Sequence, residues 1–194
     1  MPKVKMGPQT LLYVMPVFLV GADVDGAPNF MVAAWGGIAC SKPPMVSLAI
    51  QPDRYTCQGI LKNKTLSINI PPASLVKEVD YCGVTSGSRI NKVETCKFDI
   101  FYGKLGNAPL IEQCPINLEC RVVHVLNLGS HSLIISQIEE SHVSADCLTD
   151  GKVDFKKLDP FVYDREGRQY ITLGKIEAKA FSAGLELKAK GEGR

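Results

Sequence analysis

Apolar residues run along this chain in short bursts broken by Gly, Pro, Asn and Asp, which is the spacing of strands rather than of long helices. A first strand is expected over 13–22, with Asp23-Val24-Asp25-Gly26 as a hairpin turn and a second strand over 29–35. Gly36-Gly37 reads as a turn or a close approach of the backbone to something flat, and Lys42-Pro43-Pro44 as an extended connector, because each proline fixes φ and biases the residue before it away from helix. A third strand over 45–50 leads through Gln51-Pro52-Asp53 into a short helix over 57–62, with Asp53 as its N-cap. Thr65 to Ile70 alternates polar and apolar. Leu75, Val76 and Val79 have the core spacing of a helix over 73–81, with Gly83 beyond its end. Residues 83–93 read as a loop, and 116–128 and 132–143 as long strands hinged at Gly129-Ser130-His131. Lys152 to Leu158 reads as charged linker. Sequential strands with helices as additions predict a closed antiparallel barrel.

Composition narrows the function classes. At 194 residues, 45% hydrophobic and 22% charged, the chain fits one ordered domain with an extension. A net charge of +2 without a basic run argues against nucleic acid as a partner. The apolar stretch 11–22 is interrupted by Pro16 and is too short to span a bilayer, and no convincing small-residue cleavage site follows it, so neither a membrane partner nor a leader is expected. Seven cysteines, odd in number and scattered, suit reduced thiols in a cytoplasm better than a disulfide framework. Cys120 and His124 are too far apart on a strand to share a metal, so none is assigned.

Candidate chemistry concentrates between residues 29 and 92. Ala33, Ala34 and Gly36 leave bare backbone beside the sole tryptophan, Trp35, where a planar ligand could lie; an ordinary core hairpin is the alternative. Arg54 and Thr56 fall in the first turn of the short helix, where free N–H groups, a cation and a hydroxyl suit an anion; solvated side chains are the alternative. The 83–93 loop adds Ser86, Gly87, Ser88, Arg89 and Lys92. Trp35 is either a ring neighbour or a core anchor. Cys40 and Cys57 lie nearest these segments and read as packing residues.

Four segments in order, "NFMVAAWGGIACSKPPMVSLAIQPDRYT", "SINIP", "SGSRINK" and "GSHSLIISQIEESHV", give the chain a specific likeness. Over about residues 6 to 175 it resembles the flavin reductase-like family of FMN-binding split barrels, most closely the flavoredoxin branch. The resemblance implies a mainly β fold, an antiparallel split β-barrel with a few short covering helices, over 1–175. A C-terminal extension, 176–194, would then carry Phe181, Leu185 and Leu187 to dock on a partner subunit of a homodimer. It implies FMN as cofactor, with NADH or NADPH as electron donor, or a ferredoxin-like redox protein in place of the nicotinamide. Arg54 and Thr56, then Lys92, would hold the phosphate, with Ser86 and Gly87 in the same loop. Backbone groups of Val32, Ala33, Ala34 and Trp35 would meet the isoalloxazine edge. Asn69 would reach the ribityl chain or the ring, unless it caps its strand. His131, in Gly-Ser-His, would stand near the reacting face, where an imidazole can donate a hydrogen bond or a proton. Tyr170 to Gly174 resembles the family's closing pattern beside the active site. Asn91 and Val93 depart from the family's Asp-Lys-Phe, so only Lys92 carries over from that segment. The alternative reading is a non-enzymatic flavin-binding or interaction module on the same barrel.

Overall fold

The computed structural model describes residues 1–185. Its centre is a seven-stranded antiparallel sheet. The strands β2 (Phe18–Val24), β3 (Ala27–Ala33), β4 (Gly36–Ser41), β5 (Pro44–Ile50), β6 (Thr65–Ile70), β9 (Ile116–Asn127) and β10 (Ser132–Val143) lie in the order β3-β2-β6-β9-β10-β5-β4. The two edge strands, β3 and β4, are successive in the chain and separated only by Ala34 and Trp35. Two residues cannot cross a flat sheet of seven strands spaced about 4.8 Å apart, so the sheet must be rolled until its edges nearly meet. One backbone bond, Ala49 N to Trp35 O at 2.8 Å, ties the seam. No ladder joins β3 to β4, so the barrel expected as closed is a roll left open along one line.

The roll has two cores. Val20, Ala22, Met31, Ala33, Val46, Leu48, Ile50, Leu66, Ile68, Cys120 and Ile134 fill its interior, and α1 (Tyr55–Asn63) plugs one end with Cys57 and Ile60. Gly59 brings α1 onto β2, because a Cβ there would run into the Asp23 carbonyl oxygen. The alternate residues of the same strands, Leu19 and Phe30, face outward under α2 (Val76–Val84) and α3 (Lys92–Cys96) with Val79, Cys82, Phe98 and Phe161. Phe30 and Phe98 meet edge to face at 5.9 Å. β2 and β3 are therefore buried on both faces.

Around the roll lie smaller pieces. β1 (Met15–Pro16) pairs with β13 (Phe161–Asp164), which pairs with β14 (Gln169–Thr172). β7 (Ile100–Phe101) pairs with β8 (Leu110–Ile111), and β11 (Leu148–Thr149) with β12 (Lys152–Val153). A four-residue helix, α4 (Phe155–Leu158), follows.

Several expectations need correcting. The stretch 13–22 is two strands in different sheets, β1 and β2, parted at Val17. Gly36 and Gly37 do not turn; they start β4, where a Cβ on Gly36 would sit 2.6 Å from Leu48 Cδ2 and 2.7 Å from the Ser47 oxygen. The connector is a tight turn, Lys42-Pro43, between β4 and β5. Asp53 is not an N-cap: Arg54 N donates to Gln51 O at 3.1 Å, closing a turn through Asp53 and making Arg54 the cap residue. Gly83 lies inside α2, where a Cβ would come within 2.8 Å of Val32 Cγ1, so it is there for close packing on β3. Residues 152–158 form β12 and α4 and are not a linker. Of the expected tail contacts, Phe181 and Leu185 are fully or largely exposed, and Leu187 lies outside the described residues.

Candidate functional site

The site grows from the free edge of β3. In an antiparallel strand the backbone groups of successive residues point to alternate sides. The Phe30 carbonyl points away from β2, since it accepts from Lys92 Nζ at 2.8 Å. The same alternation turns Val32 outward, leaving its N–H and C=O without a neighbouring strand. Two clefts open along this edge, one of about 230 Å³ and one of about 190 Å³, and Met31, Val32 and Arg54 line both.

The larger of the two gathers Arg54, Thr56, Ser86, Gly87 and Lys92. Lys92 is 4% exposed. Its Nζ donates to the Phe30 and Cys82 carbonyl oxygens, each at 2.8 Å, which uses two of three ammonium N–H groups. Burial pushes its pKa below the ordinary lysine value, and the Arg54 guanidinium pushes the same way. Arg54 is steered by Gln51, whose Oε1 accepts from Arg54 Nε at 3.1 Å. Among the described residues neither cation forms an ion pair with a carboxylate. The N–H groups of Tyr55 and Thr56, at the start of α1, find no acceptor among the described residues. Two cations, a helix start and a spare ammonium N–H thus converge on one small cleft, the donor set of an anion site.

Thr56 is 1% exposed, and its Oγ1 accepts from Asn29 Nδ2 at 2.6 Å. Ser86 bonds within its loop, Oγ to Ser88 Oγ at 2.9 Å. The smaller cleft runs past Ala33, Ala34 and Trp35 to His131. The His131 ring lies on the Trp35 indole, with centroids 4.6 Å apart and planes 24° apart, and its Nδ1 meets Ser130 Oγ at 2.9 Å. Nε2 has no protein partner among the described residues. Trp35 is half-buried and forms a wall of the cleft rather than a core anchor.

Every expected site residue but one is therefore brought together. The exception is Asn69. It is fully buried, and its Nδ2 donates to Leu19 O at 2.9 Å and Ser67 Oγ at 3.0 Å. Its Oδ1 accepts from Ile111 N at 3.0 Å and Asn117 Nδ2 at 2.8 Å. With all these positions used inside the fold, Asn69 joins β6 to β2, β8 and β9 and has nothing to offer a ligand. The sequence reading missed Asn29 and Gln51, which aim Thr56 and Arg54. It also missed the 380 Å³ groove behind Val32–Ala34, lined by Asp80, Tyr163, Arg168 and Tyr170. A polar Asn opening an otherwise apolar strand was the available signal for Asn29. Tyr170 does fall there, its hydroxyl donating to Asp80 Oδ1 at 3.1 Å.

A rolled antiparallel sheet of this kind has known counterparts. The chain belongs to the flavin reductase like domain family, which it matches over residues 11–172. Its structure is similar to that of a flavoredoxin from Methanosarcina acetivorans, at 35% identity and a TM-score of 0.92, covering 96% of this chain and 100% of that one. It is also similar to the flavoredoxin of Desulfovibrio vulgaris (Miyazaki F), at 35% identity and a TM-score of 0.88 over 94% and 100%. In sequence, an uncharacterised protein of Archaeoglobus fulgidus is 33% identical over 144 residues, 74% of this chain and 80% of that protein. No described helix is long and apolar enough to cross a membrane.

Proposed function

We propose that this chain binds FMN along the β3 edge and works as an oxidoreductase of the flavin reductase or flavoredoxin type, moving electrons from NAD(P)H or a redox protein to an acceptor. The observation that carries this is the cleft in which Arg54 and the buried Lys92 face the start of α1; Asp53 also lines it, but among the described residues neither cation forms an ion pair with a carboxylate. That cleft fits a phosphate ester, and the free backbone of Val32 and the smallness of Ala33 and Ala34 fit the hydrogen-bonding edge of a flat ring. When bound, FMN supplies the redox chemistry.

The chain's residues have four tasks in this reading. Arg54, Lys92, Thr56 and the Ser86-Gly87 backbone hold the phosphate. Val32 to Trp35 orient the ring edge. Trp35 and His131 shield one side from water, and His131 Nε2 offers a proton or a hydrogen bond there. Residues 1–175 form the FMN-binding unit, and 176–194 an extension with Phe181 and Leu185 free to meet a second subunit. A homodimer is supported by exposed Val123, Val125, Leu126 and Leu128 near the tip of the β9–β10 hairpin and by the apolar groove of Leu12, Val14, Trp35 and Leu133. Seven free thiols suit a reducing cytoplasm.

Fluorescence titration of FMN and riboflavin into wild type and Arg54→Ala tests the reading. We expect the wild type to prefer FMN and Arg54→Ala to lose that preference by about tenfold or more, one charge-assisted hydrogen bond's share. Equal FMN affinity in the two proteins would remove Arg54 from the site.

A further inference from the structure

Thr56 is an unusual member of this cleft. The residue is 1% exposed, yet its hydroxyl proton has no acceptor among the described residues. In the first turn of a helix a threonine hydroxyl ordinarily finds a carbonyl or water. Here the oxygen is occupied from behind. Asn29, 6% exposed on β3, donates from Nδ2 to Thr56 Oγ1 at 2.6 Å. An oxygen that accepts on one side keeps its own O–H for a different direction, and the cleft shared with Arg54 and Lys92 is the space that Thr56 lines.

A second observation concerns how Asn29 is held. Gly87 lies against the Asn29 amide so closely that a Cβ on Gly87 would collide with Asn29 Oδ1 and fall 3.0 Å from Nδ2. The Ser86-Gly87 turn thus presses on the amide from the loop side while Thr56 takes its Nδ2. Asn29 does not line the cleft that Thr56 lines but a neighbouring one of about 340 Å³, and Tyr55, Gly87 and Lys92 border both. Toward the Arg54–Lys92 cleft its amide acts through the threonine.

We propose that Asn29 is a positioning residue for phosphate-ester recognition: it fixes the Thr56 hydroxyl as a donor into the Arg54–Lys92 cleft, and Gly87 is the residue that permits this. The proposal rests on reading that cleft as the phosphate site. It names the ligand group that Asn29 selects, a phosphate monoester, over the same molecule ending in a hydroxyl.

The test is a double-mutant cycle read as two affinities, for FMN and for riboflavin, in wild type, Asn29→Ala, Thr56→Val and the double variant, with melting temperatures alongside. The expected result is a loss of about 5- to 20-fold in FMN affinity for each single variant, with riboflavin affinity changed less than twofold. The double variant should be no worse than Thr56→Val alone, because both remove one donor. Thr56→Ser, which keeps the hydroxyl, should retain the preference for FMN. Asn29→Asp, similar in shape but only an acceptor, covers the case in which Asn29→Ala does not fold. It should cost more in the Thr56 background than in the Thr56→Val background, since only the hydroxyl can be turned away.

Wild-type preference for FMN combined with losses that multiply in the double variant would overturn the role of Asn29 and leave the phosphate site standing. An equal loss for riboflavin would also overturn it, making Asn29 a packing residue. No preference for FMN in the wild type would overturn both.

Discussion

Replacing Lys92 by methionine removes a charge that the fold buries against the proposed phosphate site while keeping most of the side-chain volume. Two effects separate cleanly. In the free protein the charge is costly: burial holds the Lys92 pKa below that of an exposed lysine, and its two carbonyl bonds to Phe30 and Cys82 only partly offset the loss of water. Methionine relieves the charge but leaves two carbonyl oxygens unpaired, so stability should change by no more than about 1–2 kcal/mol in either direction. With FMN bound, the third N–H and the charge meet a phosphate. A hydrogen bond to a charged group is worth about 1.5–3 kcal/mol, or about 10- to 150-fold in affinity. Lys92→Met should therefore weaken FMN by that factor and leave riboflavin nearly unchanged.

The same residue fixes a pH dependence. Between the depressed folded value and the ordinary lysine value of about 10.4, the unfolded chain binds more protons than the folded one, so the stability of the free protein rises with pH across that window. A bound phosphate favours the charged ammonium. FMN affinity should thus fall as pH climbs through the depressed value, and binding in that window should take up a proton. Calorimetric titration in buffers of differing ionisation enthalpy reads that uptake directly. An FMN affinity equally reduced for riboflavin in Lys92→Met, or a proton uptake that survives the substitution, would refute the reasoning.

Other perturbations have definite outcomes. His131→Ala should slow reduction by the electron donor several-fold with FMN still bound, by anaerobic stopped-flow absorbance; an unchanged rate would make the imidazole a bystander. Glu119 is fully buried, and although burial pushes its carboxyl up, the bonds from His142 Nε2 at 2.8 Å and from Leu105 and Lys104 N–H pull it below the ordinary value. Its stabilisation is therefore present above the unfolded carboxylate pKa and lost as pH falls through the depressed folded one. Glu119→Gln should cost about 2–3 kcal/mol at neutral pH and flatten the acid limb of a denaturant-stability profile; an unchanged limb would exclude Glu119 as its source. Gly59→Ala should lower the melting temperature despite the roughly 1 kcal/mol helix-propensity gain, because the new Cβ strikes the Asp23 carbonyl and moves α1. A rise in melting temperature would show that α1 has room to spare.

The strands that alternate or fill a core were legible from pattern. Residues 132–143 form β10 as expected, and 65–70 form β6. What failed was punctuation, and for a common reason. Gly36 and Gly83 are placed by what they touch, namely β5 and β3, and long-range approach leaves no local trace. The pairing of Met15 with Tyr163 and of Pro16 with Val162 was invisible for the same reason, its partners lying 148 and 146 residues apart. In the site, Arg54, Thr56 and Lys92 carry chemistry in their side chains and could be nominated singly. Asn69 has the same polar groups, but its position on β6 commits them all inward. Asn29 was the reverse: it read as the start of an apolar strand and proves to be the neighbour of Thr56.

The most direct measurement is the anaerobic absorbance spectrum of the purified protein after FMN loading and desalting, taken before and after NADH or NADPH is added. FMN should stay with the protein through desalting and its bands should bleach on reduction, by the nicotinamide or, if that leaves them oxidised, by a reduced ferredoxin-like donor. A protein that emerges from desalting with no flavin would contradict the account at its centre.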